Sequence, residues 1–410
     1  MSKQTFVIAG ASLAGAKAAQ ELREHGFDGR VVLIGAEPER PYERPPLTKD
    51  YLRGESEREK AYVHAVDYYE QHDIELMSGT TVTAIDVNGS RVTLNGAGEL
   101  RYDRLLLTTG SEPRRIPAPG ADLDGIYYMR SLADCDVLRR RLDDSGRVAV
   151  VGAGWIGSEF AASARQLGLE VTVIDPLALP NERIFGAEVG GFYRDVHVQH
   201  GVDMLLGQGV EAFEGDGAVA RVRTSAGRVV ECDFAVVGIG ITPRTGLAAD
   251  AGLTVDNGVV TNERLETSAP AIFAAGDVAS AWHPFYERHI RVEHWANALN
   301  QGPAAARAML GEDVSFDRIP YFFSDQYDVG MEYSGYATSW DQVVFRGDRD
   351  GGEFVAFWLS DRRVVGGMNV NVWDVNQHVQ ELIRSRLPVD VAALTDPDTP
   401  LDSLVAKPTA

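Results

Sequence analysis

Cysteine is almost absent. The 410-residue chain carries two, Cys135 and Cys232, far apart and in no Cys-x-x-Cys spacing. Neither a zinc site nor a redox dithiol motif is therefore present, and chemistry of the thioredoxin-reductase kind, which needs a paired dithiol, is excluded. Lysine is nearly as scarce: only Lys3, Lys17, Lys49, Lys60 and Lys407 occur, a bias that reads as genome composition. Positive charge as a whole is in deficit, with 39 Lys and Arg against 60 Asp and Glu for a net −21. Duplex nucleic acid and anionic membranes are disfavoured as main partners on that ground. No apolar run approaches the roughly 20 residues of a membrane span. The N-terminus runs from Met1-Ser-Lys-Gln-Thr5 straight into Phe6-Val-Ile-Ala9, without the basic region, long apolar stretch and cleavage site of a secretory signal, so a cytoplasmic protein is expected. What remains is ordinary globular composition, 44% hydrophobic and 24% charged, long enough for two to three domains.

Internal similarity is the most informative feature. An apolar strand, Phe6-Val-Ile-Ala, enters the Gly-rich turn Gly10-Ala-Ser12-Leu-Ala14-Gly15, and a helix is expected over 16–25. Arg147-Val-Ala-Val-Val leads in the same way into Gly152-Ala-Gly154-Trp-Ile-Gly157, with a helix expected over 158–167. Such a turn lets backbone approach a pyrophosphate, and the helix N-terminus offers free N–H groups to the anion. Three glycines at this spacing arise by chance about 0.4 times in a chain of this glycine content, so context has to decide. A second apolar strand follows each helix and leads to an acid, Glu37 after Val31–Ile34 and Asp175 after Val171–Ile174. Each acid falls where a carboxylate meets a ribose 2′-hydroxyl. Ser12 in place of the middle glycine is a departure in the first copy; its hydroxyl would either intrude on the phosphate or donate to it. Asp175 would repel a 2′-phosphate, so NADH is expected over NADPH.

Two such units in one chain imply two dinucleotides, economically a flavin and a nicotinamide. Leu105-Leu-Leu-Thr-Thr-Gly110 and Ala235-Val-Val-Gly238-Ile-Gly240 read as strands ending in small residues where the chain crosses between domains beside a cofactor. A third, Thr267-Ser-Ala-Pro-Ala-Ile-Phe-Ala-Ala-Gly276-Asp277, ends in an acid able to bond a ribityl hydroxyl.

The chain resembles the NADH-dependent ferredoxin reductases of oxygenase systems, the putidaredoxin reductase and biphenyl-dioxygenase reductase group of glutathione-reductase-like flavoproteins. The resemblance runs from about residue 5 to 390. Its most specific pieces are Arg40-Pro-Tyr-Glu-Arg44-Pro45-Pro46-Leu47-Thr48-Lys49, the stretch from Gly152 to Glu159, Ala274-Ala-Gly-Asp277, Val292-Glu-His-Trp295 and Tyr321-Phe-Phe-Ser-Asp325. It implies FAD along Gly10, Ala14 and Gly15, with Glu37 on the adenosine ribose and the Val82 backbone at the adenine. Arg44 and Arg130 would lie near the FAD phosphates, where an always-charged forked guanidinium suits. Pro45 and Lys49 would stand beside the isoalloxazine, where an ammonium stabilises the reduced ring. Asp277 and Trp295 would contact the flavin, Glu159 the nicotinamide carboxamide, and Arg183 the adenylate end of NADH. Thr108, where alanine is usual, and a neutral Ala36 depart from the pattern.

The fold implied is α/β: two Rossmann-like dinucleotide-binding domains, one inserted in the other, plus a C-terminal α+β domain. FAD would occupy 1–112 and 241–318, NADH 113–240, and an interface domain 319–410. In that last domain Val343–Arg346, Glu353–Leu359 and Arg363–Val370 read as strands and the region 375–384 as a helix. From 391 on, acidic and Pro-bearing sequence predicts a loose tail. Trp373 resembles an aromatic at the carrier-facing surface, with core packing as the alternative.

The activity implied is hydride transfer from NADH to FAD, then single electrons to a small iron–sulfur ferredoxin feeding a cytochrome P-450 or Rieske oxygenase. Rubredoxin reductase or another NADH:acceptor flavoenzyme stays open. So does, from another class, a redox sensor or interaction protein like apoptosis-inducing factor. Ferredoxins are acidic as this chain is, so docking would need a local patch, for which Arg288, Arg291, Arg307 and Arg318 are candidates.

Overall fold

The structure, a computed structural model, describes residues 3–96 and 98–404. The chain divides into two compact units, one built from residues up to 44, 57–112 and 242–320, the other from 45–56, 113–241 and 321 onward.

The first unit is built on a five-stranded parallel sheet in the order Ile272–Ala274, Arg104–Leu107, Thr5–Ala9, Arg30–Ile34, Ile74–Met77. Its strands read as unbroken apolar runs because both faces are covered. Phe6, Ile8, Val31 and Leu33 pack with Ala18, Ala19 and Leu22 of helix Leu13–Glu24 and with Ala304 and Ala305 of helix Trp295–Met309. The alternate residues, Val7, Ala9, Val32 and Ile34, pack on Ile85, Val92 and Leu94 of the antiparallel sheet Val82–Asp86, Arg91–Leu94, Gly98–Arg101. Thr5–Ala9 lies centrally, and successive strands are added first to one side of it and then to the other. The carboxyl end of that strand is the switch point at which such sheets bind ligands.

The second unit repeats the plan. Its parallel sheet runs Asp203–Leu206, Glu170–Asp175, Arg147–Val151, Phe234–Val237, Ile126–Tyr127, with Arg147–Val151 in the central place. A three-stranded antiparallel sheet, Val210–Glu214, Arg221–Thr224, Val229–Glu231, again follows the third strand. The duplication reaches fine detail. The register shifts between Val82 and Ala84 in one small sheet and between Val210 and Ala212 in the other, a bulge at the same place in both.

Residues from 321 form a five-stranded antiparallel sheet, Tyr321–Gln326, Val329–Gly335, Arg363–Val370, Glu353–Ser360, Gln342–Asp348, with helix Asn376–Ser385. Phe185, Val189 and Tyr193 of helix Glu182–Gln199 share one hydrophobic cluster with Phe322, Met331, Tyr333, Phe354 and Trp358 of this sheet, and the Trp358 indole donates to the Phe185 carbonyl at 3.0 Å. The C-terminal sheet therefore belongs to the same compact unit as residues 113–241.

The expected loose tail is instead ordered as far as Leu404. Helix Val391–Thr395 is capped by Asp390, whose carboxylate accepts from the Ala392 N–H at 3.0 Å. Leu394 is fully buried, and the Arg346 guanidinium donates to the carbonyls of Asp396 at 2.7 Å and Thr399 at 2.7 Å. Acidic composition signalled a tail, but a few apolar anchors and one arginine suffice to hold it. Residues 405–410 lie outside the described residues.

His197, on helix Glu182–Gln199, is fully buried, its Nε2 2.9 Å from Gln326 Oε1 and its Nδ1 3.2 Å from the Tyr327 hydroxyl. Burial pushes its pKa down from 6.5 to about 4. A proton then binds the unfolded chain more readily than the folded one, so the contribution to stability is complete above about pH 6.5 and is lost as pH falls toward 4. The loss should amount to about 3 kcal/mol over that window. Urea midpoints measured from pH 7 to pH 4.5 check this: His197→Gln should flatten the decline, and an unchanged slope would show that other groups carry it.

Candidate functional site

In the first unit the Gly-rich turn is closed by contacts that allow no side chain. Gly10 has φ +130°, and a Cβ there would stand 2.1 Å from the Thr108 carbonyl oxygen; one on Gly15 would stand 2.1 Å from the Gly10 carbonyl oxygen. The Thr108 hydroxyl donates to the Gly10 carbonyl at 2.7 Å, so the threonine found where alanine was expected braces the turn. Ser12 is the N-cap of helix Leu13–Glu24 in an extended conformation, and its hydroxyl makes no capping bond. Ala14 is buried, and a Cβ on Gly302 would meet its carbonyl oxygen at 2.2 Å, so helices Leu13–Glu24 and Trp295–Met309 touch backbone to backbone. Sequence reasoning passed over Gly302 and Gln301, whose Oε1 accepts the Gly276 N–H at 2.9 Å.

Of the other residues expected at FAD in this unit, Glu37, Arg44 and Asp277 fall into one electrostatic group. Arg44 bonds Glu37 at 3.3 Å, and Glu37 also accepts from the Tyr42 hydroxyl. Burial opposes the Arg44 charge, but Tyr42, Glu37 and Asp277 outweigh it and raise the guanidinium pKa. Asp277 is thus brought close to Arg44 across more than half the chain. Asp277 lies in the 3-10 turn Gly276–Val278, and Trp295 opens helix Trp295–Met309. Val82 opens a strand of the small sheet and pairs with Leu94. Among the docking candidates, Arg291 is only 9% exposed and is paired with Glu293, which removes it from any surface patch.

In the second unit the same triangle recurs. Gly152 has φ +105° with a Cβ position 2.4 Å from the Gly238 carbonyl oxygen, and a Cβ on Gly157 would stand 1.9 Å from the Gly152 carbonyl oxygen. Gly154 is different: the nearest atom to its Cβ position is the Gly238 oxygen at 4.0 Å. The fold itself demands glycine at 152 and 157, whereas at 154 the space is open on the protein side, as a turn that admits a phosphate requires. The loop therefore fits a dinucleotide.

Asp175 is 9% exposed; its Oδ2 accepts the Ala153 N–H and its Oδ1 the Leu177 N–H, each at 2.7 Å. Arg183 is exposed and makes no hydrogen bond or ion pair among the described residues. Gly240 has φ +101° and accepts the Arg114 N–H at 3.0 Å. Arg130 immediately precedes Ser131, the N-cap of helix Leu132–Asp144 with a complete capping box.

The most concentrated chemistry of this unit surrounds Glu159. Pro45 opens a 3-10 turn Pro45–Thr48, and Lys49 follows it as the N-cap of helix Asp50–Arg53. Lys49 Nζ is 2.6 Å from Glu159 Oε2, with side-chain exposures of 12% and 9%. The Thr48 hydroxyl donates to Oε2 at 2.5 Å and the Ser324 hydroxyl to Oε1 at 2.7 Å. Lys49 also lies over the Phe323 ring at 5.7 Å. A carboxylate and an ammonium so far out of water persist because they are paired and the remaining lone pairs are filled. Thr48 and Ser324 sit inside motifs quoted from the sequence, but nothing in the sequence pairs them with Glu159. Nearby Asp325 has its pKa raised, chiefly by desolvation, with Lys49 opposing and Glu159 adding to it.

Both cysteines are buried free thiols. Cys135 donates to the Leu47 carbonyl at 3.3 Å, and burial pushes the Cys232 thiol up to about 12; neither is suited to thiolate chemistry. Trp373 is 55% exposed, which excludes the core alternative. Among the described residues no helix is long and apolar enough to cross a membrane.

Residues 4–302 match the family model for pyridine nucleotide-disulphide oxidoreductases, and 321–405 match a reductase C-terminal model. The chain is 37% identical to putidaredoxin reductase of Pseudomonas putida over 99% of this chain and 97% of that one. It is 39% identical to the ferredoxin–NAD(+) reductase component of the anthranilate 1,2-dioxygenase system of Burkholderia cepacia, over 99% of this chain and 100% of that one. Among solved structures, a covalent putidaredoxin reductase–putidaredoxin complex matches with a TM-score of 0.95 at 35% identity, covering 99% of both chains. With its duplicated dinucleotide loops and its C-terminal sheet, the chain belongs to the pyridine nucleotide-disulphide oxidoreductase family, in the ferredoxin–NAD(+) reductase group of oxygenase systems.

Proposed function

We propose that this protein is an FAD-dependent NADH:ferredoxin reductase that feeds a cytochrome P-450 or Rieske oxygenase through a small iron–sulfur ferredoxin. The observation that carries the reading is one glycine triangle built twice, Gly10–Thr108–Gly15 and Gly152–Gly238–Gly157, in a chain with no dithiol. Two dinucleotides and no thiol relay leave the flavin as the place where electrons change carriers. FAD, when bound, accepts a hydride and releases its electrons one at a time.

The chain's own residues bind and orient. Gly10, Ala14 and Gly15 line the pyrophosphate of FAD, Glu37 holds its adenosine ribose, the Val82 backbone meets the adenine, and Arg44 and Arg130 balance the phosphates. Pro45, Lys49, Asp277 and Trp295 hold the reactive end. On the NADH side, Gly152, Gly154 and Gly157 receive the pyrophosphate, with Gly240 at the crossing, Asp175 at the ribose, Arg183 at the adenylate and Glu159 at the carboxamide. Lys49, fixed by Glu159, presents a cation to the ring as it gains negative charge. The cell interior supplies NADH, so a cytoplasmic setting is part of the proposal, with cell fractionation as its check.

Purified protein should show a flavin spectrum and reduce two-iron or three-iron ferredoxins from a panel at the expense of NADH. Fast NADH oxidation with no ferredoxin reduced would sink the carrier assignment. NADH should exceed NADPH at least about tenfold in kcat/KM, because a 2′-phosphate would be placed against the Asp175 carboxylate. Equal values would remove Asp175 from cofactor choice.

A further inference from the structure

Two sets of polar side chains described above are joined by one further bond. Glu159 Oε1 accepts from the Ser324 hydroxyl at 2.7 Å, and His197 Nε2 stands 2.9 Å from Gln326 Oε1. Ser324 and Gln326, two residues apart on strand Tyr321–Gln326, share one face of it, and the Gln326 amide nitrogen reaches the Ser324 hydroxyl oxygen at 3.2 Å. With the Tyr327 hydroxyl 3.2 Å from His197 Nδ1, five side chains form one continuous line. Its inner members, Ser324, Gln326 and His197, are each at most 1% exposed.

Charge at one end orders every proton in the line. An ionised carboxylate only accepts, so the single Ser324 proton goes to Glu159, which the Lys49 ammonium pairs at 2.6 Å. Ser324 Oγ is then left to accept, which turns the Gln326 NH2 toward it and the Gln326 carbonyl toward His197. That carbonyl needs the proton on Nε2. The ring is neutral, since burial has pushed its pKa down to about 4. Nδ1 therefore offers a lone pair to the Tyr327 phenol, whose own proton burial helps to retain. Tyr327, His197, Gln326 and Ser324 thus each donate to the next, and the last donates to Glu159. Such a line polarises its members in one sense, so cutting any link loosens the hold on Oε1. An amide does not hand a proton along without leaving its stable tautomer, so the line carries orientation and not protons.

We propose that Gln326 and His197 are positioning residues for Glu159, fixing its carboxylate through Ser324 in the orientation that holds Lys49 and meets the nicotinamide. The inference rests on the reading of Glu159 as the residue at the NADH carboxamide and deepens it, adding two residues that act only through another side chain.

The alternative is that the line does no more than satisfy buried polar groups. His197→Gln keeps a donor where Nε2 stands, His197→Phe keeps a ring without one, and Gln326→Leu cuts the next link. Stopped-flow reduction of the FAD-loaded protein by NADH gives a limiting rate and an apparent Kd for each. His197→Phe and Gln326→Leu should lower the limiting rate about tenfold and leave Kd within about twofold. His197→Gln should stay within about twofold of wild type in both. Nitrogen-15 NMR of histidine-labelled protein, with the His197 signal identified by its loss in His197→Gln, should show a neutral ring protonated on Nε2. Protonation on Nδ1 would reverse the line and overturn the inference, even where His197→Phe and Gln326→Leu fail to fold. Wild-type limiting rates in folded His197→Phe or Gln326→Leu, or a His197→Gln as slow as His197→Phe, would sink it as well. A wild type that NADH does not reduce overturns the reading of Glu159 itself, and shows before any substitution is made.

Discussion

Lys49→Met should destabilise the protein by about 3 kcal/mol and slow NADH-driven reduction of bound flavin at least about a hundredfold. The two effects have different origins. Stability falls because Glu159, 9% exposed at its side chain, keeps a charge that the Thr48 and Ser324 hydroxyls bond but do not neutralise. Reduction should slow because the cation proposed to stand beside the flavin ring is gone. A second substitution separates them: in Lys49→Met with Glu159→Gln the charge is removed while a neutral amide still bonds both hydroxyls. Stability should return to within about 1 kcal/mol of wild type, and flavin reduction should stay slow. Urea denaturation and stopped-flow absorbance are the two measurements. A double variant as unstable as the single one would mean that the buried charge is not the penalty. A single variant reduced at the wild-type rate would place Lys49 away from the reaction.

The loops were legible in the sequence because their requirement is local. Gly157 must be glycine for a contact within its own turn and Gly152 for its φ of +105°, and strand, turn, helix and acid are consecutive. The same holds for the apolar runs, which mark strands buried on both faces. Long-range polar contacts were not legible. Thr48 and Glu159 are separated by 111 positions, and no periodicity pairs a hydroxyl with a distant acid; only the family motif made Lys49 and Glu159 suspects. Strand Tyr321–Gln326, at the edge of its sheet, and Val329–Gly335 beside it mix polar and aromatic residues, so Tyr321-Phe-Phe-Ser-Asp325 reads from the sequence as a motif and not as a strand. The order of the tail was missed for a related reason: Leu394 and the Arg346 carbonyl cluster supply it, and composition averages over both.

Because the glycine triangles are geometric copies, the same substitution in each should give opposite losses. Gly157→Ala puts a Cβ 1.9 Å from the Gly152 carbonyl oxygen, and since that atom is backbone, the helix Trp155–Gln166 must lift away from its turn. Glu159 sits one residue beyond Ser158 on the same helix and moves with it. A displacement near 1 Å at a reacting group costs about a hundredfold in rate, so NADH-driven reduction should fall at least that far, while the protein stays yellow and dithionite still reduces it. Gly15→Ala makes the equivalent clash, 2.1 Å from the Gly10 carbonyl oxygen, on the other turn. It should yield colourless protein that loses FAD on gel filtration yet still binds NAD+. The pair of results would assign one dinucleotide to each loop. Loss of FAD from both variants, or from Gly157→Ala alone, would reverse or dissolve that assignment, since the clash on each side should act first on the pyrophosphate proposed for its own turn.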